Sequence, residues 1–426
     1  MATLSSKNGK PGLDSIEGSS PLLAIFLAIC ALAPIVAFFQ PKGMVPVLIS
    51  AALFGALGIG LIAGLRENFP RRAAVVLALL IAWTGVTALW ALDPNAALVG
   101  MTKLAGNLIV GLLFLTTALL VPPVWRSRLL LFTSVGWGIG LALVLEEIIF
   151  NGPIIGGIFG AAYDKYRIAH VGYFWLNGCA TVLLMSAWPV ATTLRQRYGI
   201  WPAVAALAVL LYALVAIQFW AGVIAICLGC VLAAATFVFK KQVLIGLAAI
   251  VVLFGLFSPV IAQHHNLLVT AARDAGIPIR ESKHRLAIWA FAGERIAEHP
   301  IRGWGMNSSK IIPGGDEYLY TEDGEGIGTA LPLHPHNGVL QIWLELGVFG
   351  AILFIAFILA IIRYIYRSVP DRYLAAIMVG QLTIALTLGS ISFGIWQGWW
   401  MATLWFGAGL IAAVSTAYVR PTISEN

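Results

Sequence analysis

The chain has 426 residues, 60% hydrophobic and only 11% charged, with a formal net charge of +7. Soluble proteins run at roughly 45–50% apolar and about 25% charged, so a water-soluble globule could not hide this much apolar surface, and membrane lipid must cover much of it. The positive balance could suit nucleic acid, but its placement along the chain marks membrane topology instead, so no nucleic-acid partner is expected.

Residues 1–20 are polar and rich in Ser and Gly, the composition of a disordered tail. Lys7 and Lys10 before the apolar run from Pro21 resemble a signal peptide. The length of that run, and the spans that follow at once, favour an uncleaved first anchor. Crossing the hydrocarbon core takes about 20 mostly apolar residues in a helix. Such runs are Pro21–Phe39, Gly43–Gly64, Ala73–Leu92, Leu104–Val121, Leu129–Phe150, His170–Pro189, Ile200–Ile217, Phe219–Phe239, Val243–Ala262, Val339–Ile365, Leu374–Phe393 and Gly394–Tyr418. The expected fold class is therefore an all-α integral membrane protein of about twelve transmembrane helices. Nine spans occupy residues 21–262 and three occupy 339–418, with a large polar loop at 263–338 and a short tail at 419–426.

With the N-terminus inside, the inner segments hold Lys7, Lys10, Arg66, Arg71, Arg72, Arg126, Arg128, Arg195, Arg197, Lys240, Lys241, Arg363, Arg367, Arg372 and Arg420. The short outer loops hold only Lys42, Lys103, Lys165 and Arg167. That asymmetry puts both termini in the cytoplasm and the long loop outside, which is the periplasm in a bacterium with two membranes. Cys227 and Cys230 form a CxxC inside an apolar run with no second pair, so they read as small packing residues rather than a redox or zinc motif. Glu146 and Glu147 fall near the outer end of the fifth span, where an interfacial position is the simplest account. Trp396, Trp399 and Trp400 read as interface belt or packing.

The long loop carries most of the remaining polarity. Leu286, Trp289, Ala290, Gly293, Ile296 and Ala297 recur at helical spacing and predict an amphipathic helix from Lys283 to Glu298, ended by Pro300 and Gly303. Such a helix could lie on the membrane surface with its stripe in the lipid boundary. Arg285, at the stripe's edge, would then face a lipid head group, or else snorkel or pair with a nearby carboxylate. Asp316, Glu317, Glu322, Asp323 and Glu325 lie among glycines; a calcium site is conceivable, but a solvated loop is the better reading. His334-Pro335-His336-Asn337 precedes a span whose first turns carry Gln341 and Glu345 on one side. From spacing alone, a histidine there is equally a general base near its neutral pKa or a helix-capping interfacial residue. No further His or Cys lies close enough in sequence to favour a metal.

The blocks Lys283-His284-Arg285-Leu286-Ala287-Ile288-Trp289, His299-Pro300-Ile301-Arg302-Gly303-Trp304-Gly305, His334-Pro335-His336-Asn337, Leu340-Gln341 and Glu345-Leu346-Gly347 together resemble the O-antigen ligase family, whose superfamily includes polymerases of lipid-linked glycans. The resemblance implies a GT-C-like, metal-independent and cofactor-free glycosyltransferase. Its implied partners are an undecaprenyl-pyrophosphate-linked glycan donor, a lipid A–core acceptor and membrane lipids. It implies that His336 is the general base on the acceptor hydroxyl and that Arg285 binds the donor pyrophosphate, with His334 and Asn337 beside them on the substrate. Arginine suits that task because its planar fork donates paired hydrogen bonds to phosphate. A Ser-Arg pair common in the family is absent from Ile217-Gln218-Phe219-Trp220-Ala221, so another cation, Arg167, Lys165 or Arg280, would take its place, Arg167 first. A repeat-unit polymerase is the nearest alternative. A flippase is the alternative of another class, and the lack of a clear internal repeat speaks against it.

Overall fold

The computed structural model describes residues 20–60, 71–160, 174–264, 283–320 and 326–419. Over the described residues each expected span falls largely on helix. The helices are α1 (Pro21–Phe39), α2 (Met44–Gly58), α3 (Arg71–Thr87), α4 (Pro94–Leu120), α5 (Pro123–Ile149), the short α6 (Pro153–Phe159), α7 (Asn177–Tyr198) and α8 (Ile200–Ala216). They continue with α9 (Trp220–Gln263), α10 (Lys283–Glu298), α11 (Gly338–Ser368), α12 (Arg372–Ile391) and α13 (Gly398–Val419). The described strands are β1 (Tyr318–Tyr320) and β2 (Gly326–Thr329), an antiparallel pair. Among the described residues, eight helices are long and apolar enough to cross a membrane. The chain is thus a mostly helical, multi-pass membrane protein.

Helix starts follow local chemistry. Ser20, Asp93, Asn337 and Asp371 each accept a backbone N–H of the first turn with the side chain, and Pro21, Pro94 and Pro123 take early positions where the missing N–H costs nothing. α7 is not among the eight apolar helices, for a packing reason. It contacts α1, α5, α8, α9, α12 and α13, and nearly all its residues from Gly178 to Thr193 are buried. A helix sheathed by other helices needs no lipid-facing surface, and its Thr181, Ser186 and Thr193 hydroxyls donate to their own carbonyls four residues back.

Two helices are broken in ways that matter below. α9 runs for 44 residues, but Phe239 leaves helical geometry (φ −118°, ψ 47°), which places a kink where the sequence predicts a boundary between two spans. α11 is interrupted at Gly347 (φ 63°, ψ −162°). A Cβ there would lie 2.2 Å from the Ile301 carbonyl oxygen, so only glycine fits. The break frees carbonyls, and the Pro300–Gly305 turn together with Trp83 of α3 supplies the donors. Trp304 N–H donates to Leu344 O (2.8 Å), Gly305 N–H to Glu345 O (2.9 Å), and Trp83 Nε1 to Leu346 O (2.9 Å), while Val348 N–H returns to Pro300 O (2.9 Å). This clasp fixes the loop to the bundle.

Glu147 lies near the end of α5, as its place in the fifth expected span requires. It is buried, and its carboxylate accepts the Ile154 and Ile155 N–H groups at 2.8 Å, tying α6 to the end of α5. All four cysteines are free, with Cys227 exposed.

Candidate active site

α10 has the predicted limits, but its buried face is turned from the predicted stripe. Ile288, Ala292 and Ile296 are buried with Ala290 and Gly293, whereas Ala297 is exposed. The reason is tertiary: α10 packs on the end of α9 and on α11 rather than presenting its apolar stripe to lipid. Gly293 is the point of closest approach. A Cβ there would meet Gln263 and the Pro259 carbonyl at 3.0–3.1 Å, and Gln263 Nε2 donates to Gly293 O at 2.9 Å. The helix-weakening glycine of the sequence is a packing requirement.

Docked this way, α10 offers two groups to the segment before α11 and one to the end of α12. Trp289 Nε1 donates to Pro335 O (2.9 Å), and His284 Nε2 reaches Thr329 O of β2 (3.0 Å). Arg285, exposed, donates from Nη1 to Ile391 O at the last residue of α12 (2.7 Å). The next carbonyl, Ser392 O, lies 3.0 Å from His336 Nδ1. Residues 285 and 336 thus meet on adjacent carbonyls at the end of one helix, although 51 positions separate them in the chain. A carbonyl can only accept, so Nδ1 of His336 carries the proton and Nε2 holds the lone pair. Nε2 has no hydrogen-bond partner among the described residues.

His336 has φ 52°, in the left-handed region, where a non-glycine residue stores on the order of 1 kcal/mol of strain or more. Its backbone N–H donates to Nδ1 of His334 (3.1 Å), and the two rings lie 4.3 Å apart. With Nδ1 of His334 accepting, its Nε2 bears hydrogen, and Gln397 lies 3.0 Å from it. The Gln397 amide is therefore best turned to place its oxygen at this contact, which also gives a partner to a buried Oε1 that otherwise lacks one. Gly394 packs beside His334, 2.8 Å from ring to where a Cβ would stand. Burial pushes His334 down to about 4, with the neighbouring His336 and then Lys310 adding to the shift. His336 is also held below its ordinary value, first by burial, then by positive Arg285 and by His284, and the Ser392 bond opposes this. Both imidazoles are neutral near pH 7.

Asn337 caps α11, its Oδ1 accepting the Val339 and Leu340 N–H groups at 3.0 and 3.1 Å. Two turns on, the buried Glu345 gathers four donors: Ser309 Oγ (2.6 Å), Gln341 Nε2 (3.0 Å), Asn307 N–H (2.7 Å) and Trp396 Nε1 (2.9 Å). Gln341 Oε1 in turn accepts the Ile395 N–H at 2.9 Å. Arg167, Lys165 and Arg280 lie outside the described residues, as do Glu322, Asp323 and Glu325.

A family model described as O-antigen ligase matches residues 203–355. Proteins of Rickettsia conorii and Rickettsia typhi, provisionally named polysaccharide ligases, are 30% and 31% identical to this chain over 347 and 355 residues. Those alignments cover 79% of each chain in the first case, and 81% of this chain and 80% of the relative in the second. The chain belongs to the O-antigen ligase family. No solved structure matches it. The ligase-family match takes in the motif blocks but stops at residue 355, short of Ile391, Ser392, Trp396 and Gln397, which the fold brings to the site. The backbone contacts at Ile391 and Ser392 carry no side-chain signal, so sequence reading could not find them. Gln397 and Trp396 had one: a polar and an aromatic residue in the first turn of the last apolar run.

Proposed function

We propose that this chain transfers a glycan from an undecaprenyl-pyrophosphate carrier to a hydroxyl of lipid A–core, at the periplasmic face of a bacterial inner membrane. A glycosyl pyrophosphate already carries a good leaving group, so the protein's work is positioning, charge stabilisation and removal of one proton. In this reading Nε2 of His336 takes the acceptor hydroxyl's proton as that oxygen attacks the anomeric carbon, and the carbon–oxygen bond to the pyrophosphate breaks. Arg285 receives the charge left on the diphosphate, and a basic residue such as Arg167 or Arg280 shares it. His334 and Asn337 complete the site beside the acceptor.

The observation that carries this reading is the meeting of Arg285 and His336 on the adjacent carbonyls of Ile391 and Ser392, with an unpartnered Nε2 between loop and helix end. The test offers the purified protein a lipid-linked glycan with either lipid A–core or a second lipid-linked repeat. Extension of lipid A–core supports the ligase, extension of the repeat makes the chain a polymerase, and no covalent product with either removes the reading. A chelator added to the assay leaves the rate unchanged if no metal takes part.

A further inference from the structure

The strongest unassigned feature lies at the far end of the bundle from the candidate site. α9 reaches the loop at Gln263, beside Gly293, and from there back to Lys241 is 23 residues of helix, roughly 34 Å. That is about one hydrocarbon thickness. There the kink at Phe239 opens a cavity of about 540 Å³, lined by Val238, Lys240, Lys241, Tyr366 and Arg372 among others.

The kink releases carbonyls, and cations answer them. Arg372 Nη1 donates to Phe237 O (3.4 Å) and Val238 O (3.1 Å), and Lys240 Nζ donates to Val369 O. These bonds hold two cations in place while leaving each with further donors. Lys241 and Tyr366 stand exposed on the same cavity. No carboxylate lines it, and none of the three cations forms an ion pair among the described residues. Asp371, next in sequence to Arg372, is occupied as the cap of α12, accepting Leu374 N–H at 2.6 Å. Val238 and Phe239 are exposed apolar neighbours of the cations, 53% and 58% accessible. A concave site with three uncompensated cations, a phenol and an apolar flank suits a phosphodiester with acyl chains attached. Topology alone calls for positive charge on this face, but not for its convergence on one cavity.

We infer that this cleft binds the head-group phosphate of an anionic phospholipid in the leaflet opposite the candidate site. Basic pockets between transmembrane helices recognise such head groups, each cation near the surface being worth roughly fivefold in affinity. The test uses the full-length protein in neutral detergent, with retained lipid counted by native mass spectrometry. Phosphatidylglycerol is expected to stay bound where phosphatidylcholine does not. Lys241→Gln, which touches no helix-capping bond, should lower that retention roughly fivefold, and Lys241→Arg should keep it. Equal retention of the two lipids, or unchanged retention in Lys241→Gln, overturns the inference. So does thermal stabilisation by soluble glycerol phosphate equal to that by phosphatidylglycerol, which would make free phosphate the ligand.

Discussion

Two polar clusters flank the start of α11, one around Glu345 and one around the two histidines. In the first, both carboxylate oxygens are engaged: Ser309 and Gln341 donate to Oε1, Asn307 N–H and Trp396 to Oε2. In the second, Nδ1 of His336 is fixed and Nε2 is left open, and Arg285 is exposed while its Nη1 holds Ile391 O. A buried group with every lone pair answered stabilises the fold, because removing it strands its partners. A cluster fixed on one side and open on the other is preorganised for something that arrives. The difference shows how burial of polar groups serves two ends within a few residues: Glu345 holds loop, helix and connector together, and the histidine cluster stands on that frame.

Mutations in the two clusters should therefore fail differently. His336→Ala is expected to cost roughly 10²–10⁴-fold in transfer rate, with the melting temperature and donor binding near those of the parent; full activity would end the base assignment. Glu345→Ala should do the reverse. It strands four donors, so unfolding should become easier by about 3 kcal/mol or more, read as a large fall in the melting temperature of the detergent-solubilised protein. A stable Glu345→Ala protein would break the contrast between the clusters. Arg285→Lys keeps the charge and loses the fork, for an expected loss of about tenfold to a hundredfold in kcat/KM; parent-like kinetics would rule out paired contacts to phosphate.

The smallest effect belongs to Gln397→Leu, which removes the partner that fixes the tautomer of His334. Transfer should fall about tenfold or less, and less again in Gln397→Glu, whose oxygen still accepts from Nε2–H. The pH profile sharpens the same point. The pKa of His336 is held below 6.5, so its basic form persists through pH 6.5 and activity drops only as pH falls through that lowered value. Removing the positive neighbour in Arg285→Gln should move this acid limb upward. A limb that stays in place would mean that the titrating group is not beside Arg285.

Much of this was legible in the chain. Composition and run lengths predict the helical membrane architecture, and the limits of α10 follow from its periodicity and from the Pro300 and Gly303 stop signals. The motif blocks carry the family. Other features were not legible because they are set by partners distant in sequence. Periodicity finds that α10 is amphipathic, but not which side faces α9 and α11, because packing partners rather than hydrophobicity alone choose the buried face. Gly293 and Gly347 look like helix weaknesses until the neighbouring backbones are seen.

The sequence by itself determined the solvent of this protein and the location of its polar loop, since both depend only on how apolar residues are distributed along a helix. The tertiary structure alone decided that an arginine from α10 and a histidine before α11 converge on two consecutive carbonyls ending α12. Backbone carbonyls are the same in every residue, so no residue code can announce which of them a helix break or helix end will leave available for a side chain.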